Sequence, residues 1–146
     1  MWQLVIASML LAVSVWYSQV EVAHARITVH NARTNELAQQ IEQLSTIAKA
    51  YAAANTGVTG NVSLATAGAP AWFAAPSGAA IYVQTGTSYA YVPNTGVMDL
   101  AAVLGTVRKG GITIGVSVGG NLQDGNGAVL SALPAGVPNG YIVEVQ

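Results

Sequence analysis

Residues 36–57 read ELAQQIEQLSTIAKAYAAANTG. Within this stretch Leu37, Ile41, Leu44, Ala48 and Tyr51 recur in alternating steps of four and three, the spacing of one face of a helix. Glu36, Gln39, Gln40, Glu42 and Gln43 fall between them and suit a wet face. Helix formers dominate up to Ala54. Asn55-Thr56-Gly57 then supplies a stop, with Gly57 free to take the left-handed conformation that closes many helices. The pattern predicts an amphipathic helix whose apolar stripe must cover something.

The stripe extends backwards through Thr34, His30 and Ile27, and neither proline nor glycine occurs between Met1 and Asn55. Ahead of it lies MWQLVIASMLLAVSVWYSQV, residues 1–20, which carry no charge. About 20 mostly apolar residues in a helix span the hydrocarbon core of a bilayer. Leu4, Val5, Ile6, Leu10, Leu11, Val13 and Val15 would meet lipid. Trp2 at one end, and Trp16 with Tyr17 at the other, would sit in the interfacial aromatic belts. Anchor and amphipathic segment together would make one helix of about 80 Å from residue 2 to 54, with a bend allowed near Val22 to Thr28. A cleaved signal peptide is the rival reading, because Ala23-His24-Ala25 fits a small-x-small cleavage site. The segment lacks the basic n-region such peptides carry, and the retained anchor is the expectation. Arg26 and Arg33 follow the span and, by the positive-inside rule alone, would hold the C-terminal part in the cytoplasm.

Beyond Gly57 the texture changes. Glycine, proline, serine, threonine and asparagine punctuate short apolar runs, and no charge occurs from Ala50 to Met98. Ala80 to Gln84 and Ser88 to Val92 flank Thr85-Gly86-Thr87 and predict a hairpin. A short helix is expected after Asn94-Thr95-Gly96, with Leu100, Val103, Leu104 and Val107 on one side and Gly110-Gly111 ending it. Ile112, Ile114, Val116 and Val118 alternate with Thr113, Gly115 and Ser117 as a half-buried strand. Asn121 to Gly127 reads as a polar turn. Tyr141, Val143 and Val145 make a last strand, with Glu144 pointing the other way. The expected fold class is α+β. A long N-terminal helix, transmembrane and then amphipathic, packs on a small, mostly antiparallel sheet domain with one short helix. The divisions are 1–20 for the anchor, 21–57 for the amphipathic helix and 58–146 for the head.

Composition narrows function. The 146 residues include 5 basic and 6 acidic side chains, and charged residues make up 8%. Without a basic face to neutralise phosphates, nucleic-acid binding is not expected. Cysteine is absent, so there is no thiolate metal site, disulfide or cysteine nucleophile. His24 and His30 are six apart on different helical faces, poorly placed as joint metal ligands. Asp99, Asp124 and Glu144 are the head's carboxylates, and their spacing supports no acid–base pair. Asp124-Gly125-Asn126-Gly127 lacks the later ligands of a calcium loop. Gly105 to Gly111 lacks the Lys-Ser/Thr order of a phosphate loop. Asn61-Val62-Ser63 matches a glycosylation acceptor by chance frequency. The chain is expected to be no enzyme and to hold no metal or cofactor. A head with so few charges tends to associate, with copies of itself or with partner subunits.

An apolar N-terminal helix that continues as an amphipathic helix over a small sheet domain resembles the layout of type IV pilins. The chain departs from them at Val5, where mature pilins carry an acidic residue. More closely, MWQLVIASMLLAVSVWYSQ and GVSVGGNL (Gly115 to Leu122) resemble the PilM family of type IVb, thin, conjugative pilus systems. That resemblance implies an inner-membrane protein of the pilus assembly or basal-body apparatus. It would have a single span, a periplasmic head, pilins or other pilus assembly proteins as partners, and no catalytic residues. The periplasmic head it implies is preferred to the orientation that Arg26 and Arg33 suggest. A minor pilin-like subunit, or a binding module released after Ala25, are the alternatives.

Overall fold

A computed structural model describes residues 32–96 and 113–146. The chain divides into two compact units, Met1–Arg33 and Thr34–Gln146, and the fold below is that of the second. The expected anchor (Trp2 to Tyr17), the first part of the long helix and the short helix after Gly96 lie outside the described residues. Among the described residues no helix is long and apolar enough to cross a membrane.

The amphipathic pattern becomes helix α1 over residues 32–54. Its end differs in chemistry from the expectation. Gly57 is not in the left-handed region. Instead the Asn55 side chain donates from Nδ2 to the Tyr51 carbonyl at 2.9 Å, beside the Asn55 backbone N–H at 3.0 Å. The side-chain amide thus adds a second hydrogen bond to a carbonyl that the backbone already uses, and reinforces the last turn.

Among the described residues seven strands follow: β1 Thr59–Val62, β2 Ala80–Gln84, β3 Thr87–Pro93, β4 Thr113–Val118, β5 Asn121–Gln123, β6 Val129–Ala132 and β7 Tyr141–Val145. They form one sheet in the order β1-β2-β3-β7-β4-β5-β6, and every pairing is antiparallel. Two three-stranded meanders, β1–β3 and β4–β6, are therefore joined by the C-terminal strand between them. The fold is α+β, with a helix on an antiparallel sheet.

The β2–β3 hairpin is tighter than expected. Thr87 already pairs with Gln84, leaving Thr85-Gly86 as a two-residue loop. Their φ values, 46° and 85°, are the positive pair of a type I′ turn, whose twist matches the flanking strands. Asn121–Gln123 is a strand, not part of a turn. Leu122 is fully buried there, and the turn begins at Asp124, whose Oδ1 accepts from the N–H groups of Asn126 and Ala128.

The core has two halves, one on each face of the sheet. Under α1, the stripe residues Ile41, Leu44 and Ala48 meet Ile81, Val83, Ala90, Val92, Ile114 and Ile142. Register places Val62, Ile81, Ala90, Glu144 and Ile114 in one row across five strands. The other face carries Tyr91, Val143 and Leu122, with Tyr82, Tyr89, Tyr141 and Val145 partly buried around them. A strap, residues 133–140, crosses this second face and packs Val137 into it. Ser117 ties the strap down. Its hydroxyl donates to the Pro138 carbonyl at 2.7 Å and accepts from the Tyr141 N–H at 2.9 Å, and its carbonyl accepts from Gly140.

Both covers alter the expected faces of two strands. On β7 the helix lies over Ile142 and Glu144, and Tyr141, Val143 and Val145 face the strap. On β4, Ile114 is buried, Val116 is half-buried and Val118 is exposed, whereas Gly115 and Ser117 are buried on the reverse side.

Candidate functional site

Each stripe residue has a definite place. Ile41, Leu44 and Ala48 are fully buried, and Leu37 and Tyr51 are partly buried against the same core. Ala38, Ser45 and Ala52 are buried with them, although the heptad reading passes over them. Small side chains in the adjacent helical row let α1 approach the sheet closely. These residues hold the fold and face away from solvent.

Ser45 belongs to a buried polar cluster. The Gln146 amide donates to Ser45 Oγ at 2.7 Å and to Glu144 Oε1 at 2.8 Å. Glu144 is wholly inaccessible, and its second oxygen, Oε2, has no hydrogen-bond partner. Burial pushes its carboxyl above the usual carboxylate range. The hydrogen bonds from Gln146 and Ser45 oppose that shift, and the charge of Glu42 adds to it. Glu144 is closed off from solvent, and the other carboxylate that acts on it is that of Glu42. Among the described residues no group of three His, Asp or Glu side chains is placed to hold a metal ion.

The accessible chemistry lies on the opposite side of α1. Glu42, Gln43, Thr46 and Ile47 recur at the spacing of one outward face. They line a groove of about 350 Å³ with Pro70, Trp72 and Phe73. The loop between β1 and β2 builds the other wall. Ser63 starts it: its hydroxyl accepts from the Thr66 N–H at 3.1 Å, and its carbonyl accepts from Ala67. Leu64, Ala67, Phe73 and Ala79 then anchor the loop against the helix core. Phe73 N–H donates to the Pro70 carbonyl at 2.9 Å, closing a turn that thrusts Trp72 outward. Trp72 is 74% exposed and stands edge-on to Phe73, ring centroids 6.5 Å apart. An exposed tryptophan beside an apolar groove is an uncommon use of the largest hydrophobic side chain.

The sequence reading did not single out this groove. Its visible signal was Pro70-Ala71-Trp72-Phe73, the one tryptophan in the second charge-free stretch. What the strand periodicities could not reveal is that the loop folds back onto α1.

The geometry defines a small α+β protein that carries, among its described residues, an open and largely apolar groove beside its helix. The chain belongs to the PilM family: the family's model, PilM, matches residues 8–145. Membership makes it a pilus-related protein. The crystal structure of a protein assigned as PilM in Pseudomonas aeruginosa 2192 is 33% identical, covering 76% of this chain and 92% of that one, with a TM-score of 0.45. A second, assigned as PilM in Escherichia coli B7A, is 19% identical, covers 78% of this chain and 94% of its own, and shares the fold at a TM-score of 0.54. No curated protein matches the chain.

Proposed function

We propose that the chain is a non-enzymatic scaffold of a type IVb pilus assembly or basal-body apparatus. It would be held at the bacterial inner membrane by residues 1–20, with its head in the periplasm. The match of the PilM family model over residues 8–145 carries the reading. The charge-free leader supports the anchor, since a helix of that length and composition is stable in hydrocarbon. The groove at Trp72 supports a role in binding, because an exposed apolar site on a small protein marks a contact surface. Pilins and other pilus assembly proteins are the partners this role calls for.

The helix laid on an antiparallel sheet favours one second reading, a minor pilin-like subunit that enters the filament. Location separates the two. After filaments are sheared from cells, a scaffold stays with the membranes and a subunit leaves with the filaments. Intact mass spectrometry of the mature chain from the membrane fraction is the companion measurement. A mass that includes residues 1–25 is expected. A soluble product beginning at Arg26 would replace the anchor with the released binding module.

A further inference from the structure

We propose that the groove between α1 and the Pro70–Phe73 turn docks a partner segment in which an arginine or lysine stands next to apolar residues. This rests on the scaffold reading and names the chemistry of the partner. Ile47, Pro70 and Phe73 make an apolar floor. Glu42 is the single charge that lines it. Its carboxylate has no ion pair or side-chain hydrogen bond among the described residues, and only its backbone carbonyl is used, by Thr46 Oγ1 at 2.9 Å. Lys49 lies two turns along α1, about 10 Å away, too far to neutralise it.

An accessible carboxylate with no cation paired to it among the described residues disfavours an acidic ligand and favours a basic one. Trp72 gives that preference a shape. A cation over an indole face gains from the ring's charge distribution, and a guanidinium can stack there while its fork reaches a carboxylate. The apolar neighbours of the basic residue would fill the floor, where removal of surface from water supplies the binding drive. The unpaired Glu42 sets the sign of the partner, and Trp72 is the anchor.

The test pans a phage-displayed random dodecapeptide library on the purified full chain in mild detergent, followed by titration of the best synthetic peptide. Selected peptides should combine Arg or Lys with apolar residues. Trp72→Ala should weaken the peptide at least tenfold, and Glu42→Gln about fivefold. Panning on Glu42→Lys should remove the basic preference. Both side chains are on the surface, so circular dichroism and melting temperature should stay those of the native chain. Enrichment of peptides without basic residues, no enrichment, or binding indifferent to both substitutions would overturn the proposal. So would sedimentation showing a dimer that Trp72→Ala dissociates, because the occupant would then be a second copy. These outcomes are independent of the scaffold reading, which fails instead if cells lacking the gene assemble normal pili.

Discussion

The two faces of the sheet are covered by different means. On one face α1 lays a continuous row of aliphatic and small side chains over Ile81, Val83, Ala90, Ile114 and Ile142, and the contacts are fully buried. On the other face a strap without regular structure crosses a field of tyrosines, and Tyr82, Tyr89 and Tyr141 stay partly open to water. Their rings meet edge-on, Tyr82 with Tyr89 at 6.2 Å and Tyr91 with Tyr141 at 5.4 Å between centroids. Tyr91 also donates to Asn61 Oδ1 at 3.1 Å, so one phenol spans to the edge strand. A helix carries its own backbone hydrogen bonds and can cover a dry face. A strap must find partners for its backbone, and here it borrows Ser117, Gly120 and Asn94. The helix face should therefore set global stability, and the strap face should open locally.

The largest effect is expected from breaking the helix face. Ile41→Asp places a charge in a site with no exposure and no partner, and should cost at least ~4 kcal/mol. For a single small domain that is most of the folding free energy. The loss of near-ultraviolet circular dichroism and of a cooperative thermal transition would show it. A folded, unaltered head in this variant would mean that the stripe is not what holds the sheet.

A middle-sized effect should come from a polar flaw on the helix face, the unpartnered Oε2 of Glu144. Glu144 sits between Ala90 and Ile114 in register, and burial raises its carboxyl pKa above the usual value. Below the ordinary carboxylate range both folded and unfolded chains are protonated there, and its contribution to stability is fully present. As pH rises through the raised folded value, that contribution is lost, because the unfolded chain ionises more readily. Glu144→Gln should remove this slope. At pH 8 it should be about 1–3 kcal/mol more stable than the native chain, and at pH 4 it should show no gain. Urea denaturation across that range reads the difference. The strap face offers no such dependence near neutrality. Its phenols Tyr89, half-buried, and Tyr91, buried, are shifted upward from 10.0 by burial and titrate only in alkali.

This contrast also explains what the sequence could disclose. The helix face was legible because Leu37, Ile41, Leu44, Ala48 and Tyr51 keep a period that only a helix satisfies. The β2–β3 hairpin and β7 followed from alternation. The strap was not legible: Pro134 to Asn139 carry no period, and their packing depends on Ser117 and Tyr82, which are distant in the chain. For the same reason alternation separates Glu144 from Tyr141, Val143 and Val145 but does not show that two covers make both faces of β7 interior. The edge strands β1 and β6 are four residues each, too short for a pattern. The groove was hidden too, because it is made by a loop meeting the polar side of α1. The role of the family was legible only through likeness.

The smallest effect should come from crowding the strap. A Cβ at Gly136 would run into the ring of Tyr82. In a dry core, added volume forces side chains off their rotamers and costs about 1–3 kcal/mol. Here the obstacle is the far end of a side chain already half open to solvent, and the ring can turn outward without moving the sheet. Gly136→Ala should therefore cost only about 1 kcal/mol, at the low end of that range, and lower the melting temperature by a few degrees. In NMR spectra the Tyr82 ring resonances should shift while the methyl groups of Ile41 and Ile81 keep theirs. A loss approaching that of Ile41→Asp, or shifts that reach those methyls, would mean that the strap is as rigid a cover as the helix. The difference between the two faces would then be one of chemistry and not of stability.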